Sequence, residues 1–449
     1  MQAKVLACLA WMLVWWMSNY VPLGITALLP IVLFPLLGIL DPKTVGALYG
    51  HPIIFLFLGG FALGLAIEKW NLHRRIALNI LNLSGTKPSQ ILMGMMISTA
   101  LLSMWISNTA TTVMMLPIGM SIYALLKDKL PDAKGSRNFA IALMLGIAYS
   151  ANVGGMSTLI GTPPNLVLAS FSSSSLGREL AFADWILFAL PRCIVLLGLL
   201  WFLLSKILFP SRIKIAGLKE LLKKEIAELG SLKNAERRTA LVLATMALLW
   251  IFRSPLNRWS LLEHLSDTII AVLGMIALFV IPFEKGAKQS LLNSKDIGKL
   301  PWNIILLFGG GLSIAKGMEV SKLVEALADL ILQSPWQQSL VIILIITAFS
   351  IFLTEVMSNV ALVSVFVPVS FIIAKSLGFS ELSLAIPLTL GASCAFMFPI
   401  ATPPNAIVYS SGLLRTQDMA KAGIWFNLIS LLLIAVYSYF LVPLLFNSI

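Results

Sequence analysis

Four short polar motifs interrupt a chain that is otherwise strongly apolar: Ser107-Asn108-Thr109, Gly161-Thr162-Pro163-Pro164-Asn165, Ser358-Asn359-Val360 and Ala401-Thr402-Pro403-Pro404-Asn405. Proline has no amide hydrogen and frees the carbonyl four residues before it. Pro163-Pro164 therefore release the carbonyls of Leu159 and Ile160, and Pro403-Pro404 those of Pro399 and Ile400. Freed carbonyls can replace the hydration shell of a cation. Helices that begin after such a break aim free N–H groups and a positive dipole end at the same place, which suits an anion. The Ser, Thr and Asn side chains add donors and acceptors without fixed charge. Taken singly, each motif also reads as a proline kink or a polar helix–helix contact. Four motifs in two matched pairs read as one site for cations and an anion.

The residues missing from these motifs narrow the chemistry. No Lys or Arg accompanies them, and Glu355 is the one clearly central acid. Even a single charge at mid-bilayer costs roughly 2.5 kcal/mol or more, so a multiply charged anion there needs co-bound cations. Proton relays use buried chains of Asp, Glu or His, which this sequence lacks, so sodium coupling is favoured over proton coupling. Glu355 is expected to hold its segment through buried hydrogen bonds rather than to bind an ion. Cys8, Cys193 and Cys394 lie in apolar stretches at spacings that match no metal motif, and His51, His73 and His264 are far apart.

The elements that must position the motifs follow from the composition. Of 449 residues, 58% are hydrophobic and 12% charged, and the mean hydropathy is +0.92. Soluble domains carry about a quarter charged residues, so one polytopic all-α membrane domain is expected. Apolar runs cover 5–17, 21–40, 53–66, 139–169, 185–209, 239–252, 268–283, 304–314, 382–410 and 424–446. Two further stretches, 90–126 and 338–374, exceed the roughly 20 residues of one span and are broken near the middle by Ser-Asn. Each predicts a re-entrant helical hairpin with a polar tip, tolerated at membrane depth only where it lines a cavity or is buried in protein. The Pro-Pro motifs predict broken helices at 139–169 and 382–410.

The chain is duplicated. A shift of 251 superposes Gly59-Gly60 on Gly310-Gly311, Glu68 on Glu319, Leu72 on Leu323, Ser103 on Thr354, Ser107-Asn108 on Ser358-Asn359 and Pro117 on Pro368. A shift of 240 matches the two Thr-Pro-Pro-Asn motifs. The expected domains are a first repeat at 1–210, a cytoplasmic amphipathic linker at 211–238 and a second repeat at 239–449. A hairpin leaves on the side it entered, so each unit crosses five times and the second is inverted, a hallmark of secondary transporters. If the first unit ends in the cytoplasm, 23 of the 32 Lys and Arg fall in inside loops, as the positive-inside rule requires. The net charge of +12 then reads as topology, and nucleic acid is not expected as a partner.

The paired Ser-Asn tips and Thr-Pro-Pro-Asn breaks resemble those of the divalent anion:sodium symporters, the INDY-type di- and tricarboxylate transporters, over nearly the whole chain. The resemblance implies a homodimer of elevator-type transporters in a bacterial inner or plasma membrane, with sodium ions co-transported. It implies one sodium site at Ser103, Ser107, Asn108 and the Gly161 carbonyl, and a second at Thr354, Asn359 and carbonyls around Met357 and Ala401. Substrate carboxylates would meet Asn108, Thr109, Asn359, Thr402 and the backbone near Val360 and Pro403. Two departures stand out: Val360 lacks the hydroxyl that Thr109 offers, and the family usually carries one more span before its first repeat than is read here.

The expected function is sodium-driven symport of a C4-dicarboxylate such as succinate. Citrate, tartrate or sulfate transport, and sodium-independent dicarboxylate exchange, are alternatives on the same fold. A membrane-embedded enzyme would want paired acids, H-E-x-x-H or a Cys/His metal set, and none is present.

Overall fold

Helix starts follow the prolines. Pro52, Pro88, Pro163 and Pro403 each sit in the first turn of a helix, where a missing amide costs little. The computed structural model describes residues 1–18, 20–127, 133–211, 217–322 and 339–446. Among these there is no strand, only an isolated bridge between Pro282 and Ser290, so the fold is all-α.

Helices α1 (Gln2–Ser18), α2 (Leu23–Thr26), α3 (Leu29–Leu36) and α4 (Pro42–Leu48) come first. A run of six follows: α5 (Pro52–Lys69), α6 (Leu72–Leu83), α7 (Pro88–Ser103), α8 (Asn108–Lys127), α9 (Ala133–Gly155) and α10 (Pro163–Leu176). Next, α11 (Phe182–Phe202) continues as a π-helix, Leu203–Leu208. The short or amphipathic α12 (Leu218–Leu229), α14 (Arg253–Leu256) and α16 (Ser294–Ile297) alternate with α13 (Asn234–Ile251) and α15 (Asp267–Val280). The end of the chain forms α17 (Trp302–Val320), α18 (Ser339–Leu353), α19 (Asn359–Ser376), α20 (Leu382–Ala392), α21 (Pro403–Tyr409) and α22 (Thr416–Phe446).

Six helices among the described residues are long and apolar enough to cross a membrane by length and composition. The stretches 90–126 and 338–374 each form two helices, α7–α8 and α18–α19, interrupted at 104–107 and 354–358; residue 338 lies outside the described residues. The two Pro-Pro stretches are likewise interrupted, at 156–162 between α9 and α10 and at 393–402 between α20 and α21. The run 21–40, expected as one span, divides into α2 and α3, with Pro30 in the first turn of α3, where it has no amide to donate back to α2. Helix α13 begins at Asn234, inside the stretch read as linker, and Leu323 of the repeat match lies outside the described residues.

Small residues set how closely the helices approach. Helix α9 is the central one, its apolar window 94% buried, and it packs along α7, where a Cβ on Gly154 would collide with the Ala100 carbonyl. Helix α5 packs along α15 in the same way, with Gly59 against the backbone of Ala271.

Ion pairs tie α5 and α6 to elements of the chain beyond residue 217. Arg75 pairs with Glu236 at 3.0 Å and donates to the carbonyls of Gly230 and Ser231, so it caps the C-terminal end of α12. Lys69, the last residue of α5, reaches Asp296 of α16 at 2.6 Å. Burial works against the charged form of Asp296, but hydrogen bonds from Lys69, the Asn293 amide and Lys299 outweigh it and hold the carboxyl below its usual range.

Candidate functional site

Both hairpin tips and both helix breaks converge on one cavity of about 490 Å³. Ser107, Asn108 and Thr109 line it from the first tip, and Val356 to Val360 from the second. Thr162, Pro163 and Pro164 enter from the first break, and Ile400, Ala401, Thr402, Pro403 and Pro404 from the other. Asn152 of α9 and Ile304 of α17 complete the wall, which carries no charged side chain. Helices α8, α10, α19 and α21 all begin here, so four N-terminal ends surround the space.

Each half builds its tip in the same way. Ser103, the last residue of α7, donates to Asn108 Oδ1 at 2.6 Å; Thr354 donates to Asn359 Oδ1 at 2.7 Å. Both pairs are spaced five residues apart, which lets a hydroxyl at or just past the end of one helix orient the Asn that opens the next. The Ala392 carbonyl, also 2.7 Å from Thr354 Oγ1, shares that one hydroxyl proton and brings the second tip against the end of α20. At the first tip the corresponding tie runs from the Thr158 hydroxyl to the Met104 carbonyl, 2.7 Å, while the Gly161 amide donates to Thr158 Oγ1 at 3.0 Å.

The breaks are held open by the asparagines that close their motifs. Asn165 Nδ2 donates to the carbonyls of Thr158 at 2.8 Å and Met156 at 3.3 Å, and Asn405 Nδ2 to those of Phe398 at 3.0 Å and Ala395 at 3.1 Å. These bonds pair buried carbonyls that the interrupted helices cannot. The Oδ1 atoms of Asn165 and Asn405 are buried without a partner.

Glu355 serves the second break. Its carboxylate accepts from the amides of Phe396 at 2.8 Å, Met397 at 2.9 Å and Phe398 at 3.3 Å, and from Asn427 Nδ2 at 2.7 Å. That is the buried hydrogen-bonding role expected of it.

All six residues expected at the substrate (Asn108, Thr109, Asn359, Val360, Thr402 and Pro403) face the cavity together. Of the first sodium set, Ser107 and Asn108 line the cavity and Ser103 lies behind, bonded to Asn108. Gly161 packs on the same spot: a Cβ there would come within 3.0 Å of the Ser103 carbonyl. Of the second set, Met357, Asn359 and Ala401 line the cavity and Thr354 lies behind Asn359. Clustered hydroxyl, amide and carbonyl oxygens without a basic neighbour are chemically suited to a hard, weakly hydrated cation.

Three features escaped the sequence reading. Asn152 donates to Thr402 Oγ1 at 3.5 Å and accepts from Asn108 Nδ2 at 3.4 Å, so it bridges the two halves across the cavity. Its signal was a lone amide in the apolar run Ala148–Gly155, one turn before the break. The structural role of Asn165 and Asn405 could have been read from their position just after each Pro-Pro. Arg192, apolar in its sequence surroundings, turns out to touch Met156 at the edge of the first break.

The comparisons with known proteins agree with this geometry. A family model described as "Sodium:sulfate symporter transmembrane region" matches residues 1–446. A protein of Staphylococcus saprophyticus named sodium-dependent dicarboxylate transporter SdcS is 40% identical over 445 residues, spanning 98% of this chain and 86% of the relative. A protein of the same name from Staphylococcus aureus is 40% identical over 446 residues, with the same shares. Among solved structures, the YdaH transporter of Alcanivorax borkumensis aligns with a TM-score of 0.62 at 14% identity, covering 89% of this chain and 88% of that one. MtrF of Neisseria gonorrhoeae, described as one of a class of antimetabolite efflux pumps, aligns with a TM-score of 0.59 at 11% identity, covering 86% and 80%. At such identities these two likenesses concern the fold alone.

Proposed function

This chain belongs to the sodium:sulfate symporter family of membrane transporters, and on that premise we propose that it is a sodium-coupled symporter of a C4-dicarboxylate such as succinate. The observation that carries the reading is the convergence of four duplicated polar motifs on one cavity without a charged side chain. A dianion there needs positive charge, and sodium ions seated at Ser103, Ser107, Asn108 and Gly161, and at Thr354, Met357, Asn359 and Ala401, would supply it. Helix N-termini would meet the carboxylates directly, with Asn108, Thr109, Asn359 and Thr402 fixing their orientation.

In this reading the two repeats are inverted, the basic loops lie in the cytoplasm, and the chain works as a homodimer in the plasma membrane. The tips and breaks move together as one body against the helices around α5 and α15, in an elevator-type motion that carries the cavity between the two membrane faces. Dicarboxylate as cargo is supported by the names of the two staphylococcal relatives.

Uptake of radiolabelled succinate into proteoliposomes, with and without an inward sodium gradient, tests the proposal. Sodium-dependent accumulation that unlabelled succinate inhibits is the expected result. Uptake indifferent to sodium would remove the coupling and leave exchange. Inhibition by sulfate, citrate or tartrate but not by succinate would reassign the cargo, sulfate being the anion in the family's own description.

A further inference from the structure

Arg192 sits at the middle of the 21-residue α11 and none of its surface reaches solvent. Arginine stays charged in proteins, so a full positive charge is buried at the centre of an apolar helix. Its Nη2 meets only sulfur, Cys193 Sγ at 3.4 Å and Met156 Sδ at 3.9 Å, and Nε and Nη1 have no acceptor. A membrane-embedded charge without an ion-pair partner is costly to keep, and such residues mark function by default.

Its position says which function. Met156 is the first residue of the break at 156–162, and its amide still bonds the Asn152 carbonyl, one turn earlier on the same face. Asn152 lines the cavity and bridges Asn108 to Thr402. On its other side, Met156 Sδ lies 3.9 Å from Cys394 Sγ, in the second break. Arg192 thus stands behind the wall where both breaks meet, about one helical turn and a side chain, roughly 10 Å, from the cavity. Among the described residues that line the cavity, none carries a fixed positive charge.

We propose that Arg192 is the fixed positive charge behind the transport site: a positioning residue that attracts the anionic cargo and weakens sodium binding through the packed wall at Met156. The proposal rests on the transport reading above. At about 10 Å and an effective dielectric near 20, a unit charge is felt on the order of tenfold in affinity per charge on the ligand. The two ligands feel it with opposite signs.

The experiment compares wild type, Arg192→Met, Arg192→Lys and Cys193→Asp in proteoliposomes and in detergent. Cys193→Asp sets a carboxylate beside Nη2 and neutralises Arg192 without vacating its place, so it keeps the test informative if Arg192→Met fails to fold. In both neutralised variants the KM for succinate should rise tenfold or more. The sodium concentration that gives half-maximal thermal stabilisation without substrate should fall. Arg192→Lys should recover most of the substrate affinity. A purely packing role predicts that both affinities weaken together and that Lys does not rescue, and that result would overturn the proposal; so would unchanged affinities in both neutralised variants. If wild type takes up no dicarboxylate, the transport reading fails by itself, whereas the sodium titration still reports whether the charge of Arg192 is felt at the site.

Discussion

Replacing Glu355 with Gln should loosen one break and leave the other intact. Glu355 Oε1 accepts from the Phe396 and Met397 amides and from Asn427; Oε2 accepts from Met397 at 3.1 Å and Phe398 at 3.3 Å. A hydrogen bond to a charged acceptor contributes about 1.5–3 kcal/mol and one to a neutral acceptor about 0.5–1.5 kcal/mol. Glutamine can keep the three bonds to Oε1 at roughly 1 kcal/mol less each. Its NH2 group then faces the Phe398 amide, donor against donor, and strands a partly buried N–H at about 1 kcal/mol or more. An amide is cheaper to bury than a carboxylate, which offsets part of the loss. The net cost is about 3 kcal/mol, or about a hundredfold in the equilibrium for opening the segment at 393–402. Hydrogen–deuterium exchange by mass spectrometry reads that equilibrium directly. Peptides covering 393–402 should exchange about a hundredfold faster in Glu355→Gln, while those covering 156–162, held by Thr158 and Asn165, keep the wild-type rate. Equal acceleration in both peptides would mean general unfolding, and no change in 393–402 would refute the role given to Glu355.

Three further outcomes are expected. Asn108→Ala and Asn359→Ala each remove a side chain that lines the cavity and accepts from the preceding hydroxyl, so each should cut sodium-driven uptake by at least tenfold while size-exclusion elution stays that of wild type. Gly59→Ala drives a methyl into the Ala271 carbonyl and should destabilise the α5–α15 contact by about 1–3 kcal/mol, whereas Gly46→Ala, where nothing lies within 4 Å, should melt like wild type. Because the folded-state pKa of Asp296 is lowered from 3.8, the stability it contributes is present above the ordinary carboxylate range and is lost only as pH falls through the lowered value. The melting difference between wild type and Asp296→Asn should therefore be constant from pH 7 to 5 and shrink below about pH 4.

The site was legible because its parts repeat. Ser103–Asn108 and Thr354–Asn359 share a spacing of five, and the two Thr-Pro-Pro-Asn motifs announce breaks by removing amides, a local effect that needs no knowledge of packing. The all-α membrane fold followed from apolar runs for the same reason. Features that depend on which helix lies beside which were hidden. Asn152 looks like one amide in an apolar run until α9 is seen to face both tips. Arg192 looks like a charge misplaced in a span until Met156 and Cys193 are found around it. The run at 21–40 was apolar enough to span, but Pro30 divides it, and a hydropathy reading counts proline only weakly.

The duplication also shows where the halves have parted. The shift of 251 that pairs Ser103 with Thr354 pairs Met104 with Glu355. In the first half the Met104 carbonyl accepts from Thr158, and the break needs no charge. In the second half a carboxylate gathers three amides of a longer break, 393–402 against 156–162. A buried negative charge therefore stands behind one break and the positive charge of Arg192 behind the other, and the Met156–Cys394 contact joins the two walls. Under the proposed elevator motion these two charges travel together, opposite in sign and held behind different breaks. A dianion without cations would add charge to that body, and cations without the dianion would add the opposite. Filling the cavity with both keeps the sum small, which is the electrostatic reason for coupling the two fluxes in one site.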